Sequence, residues 1–163
     1  MSLLPAVDGE SLQRLWNRLH RLPGGSWMFS LLLGIAAPYT GSIGARVIEL
    51  RTGFARVRLR DRRKVRNHLH SVHAVALVNL AEAASGLAMM CGLPRNMRGI
   101  LVGFSIDYMK KARGTLVAEC TAPAPEPGVR REYELEATVR DEAGDIVATA
   151  RPRWLIGPRT PHV

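Results

Sequence analysis

One stretch limits what this chain can fold into. From Val72 to Leu93 the side chains are apolar at nearly every position, and Glu82 is the single Asp, Glu, Lys or Arg among them. A helix over Val72–Met90 would be apolar all round rather than on one stripe, so other structure must enclose it. Its small residues, Ala74, Ala76, Ala81, Ala83, Ala84, Ser85, Gly86 and Ala88, allow close approach of whatever wraps it. The stretch is long enough to span a bilayer, yet His73, Asn79 and Glu82 argue against a membrane helix. Gly92 and Pro94 end it.

The flanking sequence supplies the wrapping. Asp8 or Ser11 is positioned to cap a helix to about Arg21, with Leu12, Leu15, Trp16 and Leu19 on one stripe. Pro23-Gly24-Gly25 breaks it, and Ser26 is expected to cap a second helix, Trp27–Ala36, stopped by Pro38. From Ile43 to Arg60 the period changes to two. Two strands, with Ala45–Leu50 and Phe54–Leu59 as their apolar residues, are joined by a turn at Arg51-Thr52-Gly53. Beyond the long helix, Ile100–Met109, Thr115–Ala122, Glu132–Arg140 and Ile146–Ile156 read as four more strands. Glu132, Glu134, Glu136 and Thr138 alternate with Tyr133, Leu135, Ala137 and Val139, the pattern of a sheet with one wet face. The expected architecture is α+β, with a curved antiparallel sheet of about six strands around the long helix and two extra helices in front.

At 163 residues, 47% apolar and 23% charged, the chain is one ordinary globular unit; a disordered, collagen-like or disulfide-scaffold protein is excluded. The formal charge of +9 points to anionic partners: nucleic acid, a lipid surface or phosphate-bearing ligands. The excess is nearly all arginine, with Lys64, Lys110 and Lys111 the only lysines, a bias that gene base composition also produces. Arg62-Arg63-Lys64 with Arg66 lacks the interleaved aromatics of a nucleic-acid site, so a solvated loop or a clamp for phosphates fits it better. Cys91 and Cys120 sit in apolar stretches as expected free, buried thiols. With no signal-peptide pattern in MSLLPAVDGESLQRLW, the expected location is the cytoplasm. His68 and His70 lack further ligands at metal spacing, so neither a metal nor another cofactor is expected.

Polar residues collect where the loop Asp61–His70 meets the long helix. A carboxylate within an apolar helix is costly to bury unless it is paired or hydrogen-bonded. Burial would also raise the Glu82 pKa toward the range useful to a general base. A Glu bonded to a neighbour, or facing a polar seam between subunits, fits the same pattern. Asn79, Ser85 and Gly86 share the face of Glu82, whereas His73, nine positions away, lies on the opposite side. If both serve one site, two subunits must supply it.

These residues carry a resemblance. Asn67, His73-Ala74-Val75 six positions on, and Leu80-Ala81-Glu82 ending nine beyond the histidine resemble the motif of hotdog-fold thioesterases of the phenylacetate-pathway type. Phe104–Ala112 resembles that family's third strand and following turn, and Val139–Ala148 its closing hairpin. The two front helices resemble an uncharacterised hotdog subfamily labelled as a domain of unknown function. The resemblance implies a helical extension over 1–39 and a hotdog domain over 40–163. It further implies a metal-free thioesterase acting on acyl-CoA or another acyl thioester, assembled as a homodimer or homotetramer. A non-catalytic binder of acyl chains on the same fold is the alternative. Glu82 would attack the thioester or activate water, Asn67 would position water or carbonyl, and His73 would shape the loop. The Val75 N–H would be the oxyanion donor. Asn79 and Ser85 would line the substrate site, and Lys110, Lys111 and Arg113 would meet the phosphates. The family's two glycines are here Ala74 and Val75, which narrows the pocket mouth.

Overall fold

The computed structural model describes residues 8–159; the opening residues of the segment searched for a signal peptide lie outside them. Helix α1 spans Gly9–Leu19 and starts as its sequence directs, with the Asp8 carboxylate accepting from the Ser11 N–H at 2.7 Å. Leu12 and Trp16 are buried, and the Trp16 ring meets Phe29 edge-on at 5.1 Å.

Helix α2, Gly25–Ala36, departs from expectation at its start. Gly24, at φ 75°, is the N-cap, and Ser26 lies inside the first turn. The Ser26 hydroxyl is needed elsewhere. It donates to the Val47 carbonyl, while Ser30 accepts from the Val47 N–H at 2.9 Å. Val47 belongs to strand β1, Arg46–Arg51, an edge strand whose free backbone groups would otherwise invite pairing. Pro38 also does more than stop α2. It opens a third short helix, α3 (Pro38–Ser42), because a residue without an N–H costs nothing at a first helical position.

Strand β2, Phe54–Leu59, pairs antiparallel with β1, and Ile48 is bulged out between Val47 and Glu49. Helix α4 follows over Ala74–Met90, two residues later than its apolar pattern suggests, because His73 is its N-cap. The remaining strands are β3 (Met97–Tyr108), β4 (Leu116–Thr121), β5 (Arg131–Glu134), β6 (Ala137–Arg140) and β7 (Ile146–Pro158). The sheet order is β1-β2-β4-β6-β7-β3, with β5 also on β7, so seven strands stand where about six are expected. The extra strand comes from a break in Glu132–Arg140 at Leu135-Glu136. Opposite it on β7 lies Pro152, which has no N–H to give, and only its carbonyl is engaged, by the Leu135 N–H at 2.9 Å.

The sheet curls around α4. Leu80, Ala81, Ala84 and Ala88 pack into one core with Val57, Leu59, Leu116, Ala118, Val139 and Ala148. This is the hotdog arrangement. Helices α1 and α2 join the same core through Leu12, Trp16 and Phe29, whereas α3 buries none of its residues.

Candidate functional site

The loop before α4 is ordered by its own side chains. Asp61 binds Arg66 at 2.6 Å and accepts the Gly114 N–H at 3.1 Å; the Arg66 hydrogen bond foremost holds its carboxyl below the usual range. The Asn67 carbonyl Oδ1 accepts from the Leu69 N–H at 2.9 Å and from the Ser71 N–H and hydroxyl at 3.2 and 3.1 Å. That closes a turn in which His70 takes a left-handed φ of 56°. His73 then caps α4, its Nδ1 accepting the Val75 N–H at 3.1 Å. The Val75 N–H expected to hold an oxyanion is therefore already engaged within the chain. The Ala74 N–H, at the first helical position, has no intrahelical acceptor.

Along α4, the buried faces leave one line open. Ala74 and Val75 are exposed, and Val78, Glu82, Gly86 and Met90 are half-buried at successive turns of the helix. Glu82 is the acid of this line. Burial raises its pKa above 4.5, and desolvation is the sole cause, with no ion pair or hydrogen bond to its carboxylate among the described residues.

Asn79 and Ser85, placed on the same face by spacing, are turned to the two flanks. The Asn79 amide donates to the Tyr39 carbonyl at 2.9 Å, leaving a buried Oδ1 without a partner. The Ser85 hydroxyl donates to the Glu82 carbonyl at 3.0 Å and accepts from the Trp154 indole N–H at 3.2 Å. Gly86 is where the Trp154 ring approaches; a Cβ there would lie 3.2 Å from it.

The open line borders β3, the outer strand of the sheet. Met90 meets Gly99 near one end of β3, and at the other the Tyr108 hydroxyl donates to the Ala74 carbonyl at 3.2 Å. Ile100, Val102, Tyr108 and Met109 on or next to this strand are exposed. Sequence reasoning placed Tyr108 in a strand and overlooked it as a site residue, since only the fold brings it to the first turn of α4. Burial also pushes its phenol above the usual value.

The basic candidates separate. Lys110 is held by Asp141 and Asp145, each at 2.7 Å, in the β6–β7 hairpin. Lys111 and Arg113 are exposed, with no salt bridge among the described residues. Arg62 turns the other way, donating to the Ile43 carbonyl at 2.7 Å. Cys91 and Cys120 are free and buried, with thiols pushed up to about 11 and about 12 by burial. Among the described residues no group of three His, Cys, Asp or Glu side chains could hold a metal, and no helix is long and apolar enough to cross a membrane.

Residues 25–156 match the family model described as domain of unknown function DUF4442. Among solved structures, a structural-genomics protein is similar at 27% identity and a TM-score of 0.78, over 91% of this chain and 99% of that one. A Pseudomonas aeruginosa protein of unknown function, described as a probable thioesterase, is similar at 23% identity and a TM-score of 0.73, over 85% and 97%. A Haemophilus influenzae thioesterase shares the fold at 13% identity and a TM-score of 0.66, over 76% and 87%. No curated protein matches the chain.

Proposed function

Since the chain belongs to the family described as domain of unknown function DUF4442, we propose that it hydrolyses acyl thioesters, with Glu82 as the carboxylate that drives the reaction. The observation that carries this reading is a half-buried carboxylate with no partner among the described residues, on the open line of an otherwise enclosed helix. A Haemophilus influenzae thioesterase and a Pseudomonas aeruginosa protein described as a probable thioesterase share the fold and support it.

In this reading Glu82 takes a proton from water as the water oxygen bonds to the thioester carbonyl carbon. The tetrahedral intermediate collapses, the C–S bond breaks, and the proton passes to the leaving sulfur, giving a carboxylic acid and a thiol. The oxyanion is held at the positive end of α4 by the Ala74 N–H, joined by the Val75 N–H where His73 releases it. Asn67 shapes the approach to this turn, and Ser85 fixes the backbone of the turn that carries Glu82. The Asn79 Oδ1, buried on the Tyr39 flank of α4, has no hydrogen-bond partner among the described residues. Of Lys110, Lys111 and Arg113, the last two are left available to the phosphates of CoA, since Lys110 is held by Asp141 and Asp145.

The site needs a second copy of the chain. Strand β3, twelve residues long, presents an edge that no described strand pairs with, and it bears exposed apolar side chains. A two-fold axis beside it runs the two α4 helices in opposite directions. The Asn67–His73 end of one protomer then approaches the Glu82 line of its partner. A homodimer is the smallest assembly that meets this need. The proposed place of action is the cytoplasm, in keeping with two free thiols.

A panel of acyl-CoA substrates of varied chain length, read by release of free thiol, tests the proposal. Turnover of at least one chain length well above the uncatalysed rate is expected. Binding of acyl-CoA without turnover of any would replace the enzyme with a carrier.

A further inference from the structure

One cavity lies away from Glu82, between α2 and the paired strands β1 and β2. It holds about 570 Å³, within the range of small-molecule sites, and none of Asn67, His73, Val75, Asn79, Glu82 or Ser85 lines it. Its two walls differ in chemistry. On one, Trp27, Leu31 and Ile35 recur at every fourth position of α2, all largely exposed. On the other stand Arg46, Arg58, Arg60 and Arg62, and no acidic residue lines the cavity.

The arginines are arranged at a cost. Arg46 and Arg58 are direct partners across the β1–β2 ladder, where like charges repel. Two residues back along β2, Arg56 is neutralised by Glu49 at 3.1 Å and Glu119 at 2.7 Å. Arg58 has Arg46 on one side and Val117 on the other. None of the four cavity arginines makes a salt bridge among the described residues. Asp61, adjacent in sequence, is committed to Arg66 and the Gly114 N–H. Two of the guanidinium groups are pinned by neutral partners, Arg46 by the Ser26 hydroxyl at 3.1 Å and Arg62 by the Ile43 carbonyl. The cavity therefore offers preplaced cations lacking a counter-ion, facing an apolar wall.

We propose that this cleft binds a single-chain amphiphile with an anionic head, a carboxylate or phosphate monoester, its head between Arg46, Arg58 and Arg60 and its chain along Trp27, Leu31 and Ile35. Guanidinium groups suit either head through paired N–H donors. Lining from two sides, by α2 and by the β1–β2 pair, favours a ligand held in a cleft over a bilayer surface. The site is independent of the reading of Glu82.

The test is calorimetric titration of the full chain with decyl phosphate and decanoate below their micellar concentrations. Saturable binding at one site per chain is expected. The double variant Arg58→Gln/Arg60→Gln should bind at least ~10-fold more weakly, the scale of losing charge-assisted hydrogen bonds. Leu31→Glu, at an exposed position, should weaken it comparably, while Arg58→Lys should retain most of the affinity. Decyltrimethylammonium, with the same chain and a cationic head, should not bind. Thermal melts check that each variant folds. Absent saturation, or affinity unchanged in both Arg58→Gln/Arg60→Gln and Leu31→Glu, would overturn the proposal. So would displacement of decyl phosphate by CoA lacking an acyl chain, which would assign the arginines to a nucleotide. Sedimentation with phosphatidylglycerol vesicles without binding of the monomeric amphiphiles would overturn it in favour of a membrane-docking face.

Discussion

The Trp154 indole N–H points at the Ser85 hydroxyl, 3.2 Å away, deep under α4. That hydroxyl passes the connection on to the main-chain carbonyl of Glu82. Strand β7 thus grips the turn of α4 that carries the candidate carboxylate, and both gripping groups are almost fully buried.

Replacing Ser85 with Ala leaves a buried indole N–H unpaired, which costs about 1–3 kcal/mol. Urea denaturation should show that loss of stability without a change in the denaturant slope. An unchanged midpoint would mean that the indole finds another acceptor and that the grip is dispensable.

Glu82 makes stability depend on pH in a stated direction. Its folded pKa is raised, so folding disfavours the charged form, and the penalty appears as pH rises through the unfolded value of about 4.5. Below that pH, wild type and Glu82→Gln should be equally stable. Above it Glu82→Gln should gain, up to a plateau beyond the folded pKa. Asp61 acts oppositely. Its lowered pKa adds stability that is present above 3.8 and lost as pH falls through the folded value. Melting temperatures across pH 3–8 for the wild type, Glu82→Gln and Asp61→Asn separate the two.

Lys110 is occupied by Asp141 and Asp145, whereas Lys111 and Arg113 make no salt bridge among the described residues. Acyl-CoA affinity should therefore fall and lose salt dependence in Lys111→Gln/Arg113→Gln, and change little in Lys110→Gln. An equal effect in both would show that the aspartates release Lys110 to the ligand.

The edge of β3 predicts assembly. Light scattering at micromolar concentration should find a dimer or larger even-numbered assembly, and Ile100→Lys/Val102→Lys should give a folded monomer without activity. A wild-type monomer that hydrolyses thioesters would contradict the shared site.

Much of this was legible in residue order. The apolar run of α4 required enclosure, period-two stretches supplied the strands, and Asp8 or Ser11 marked the start of the first helix, where Asp8 is the cap. What escaped the sequence depended on partners distant in the chain. Ser26 looked like a cap until the β1 edge claimed its hydroxyl. The break at Leu135-Glu136 came from Pro152 on another strand. For the site, Glu82 was legible as an acid out of place, but Asn79 and Ser85 are drawn to opposite flanks by Tyr39 and Trp154. Tyr108 reaches Ala74 only because β3 lies along α4.

The most direct measurement is kcat/KM for the best acyl-CoA substrate in wild type and Glu82→Gln, with melting temperatures from the same preparations. The amide keeps the size of the side chain and removes its basic oxygen. The account predicts a fall of at least ~100-fold, the low end of what a positioned proton-transfer group contributes, in a protein as stable as wild type or more so. Hydrolysis within a few-fold of wild type by a folded Glu82→Gln protein would contradict it.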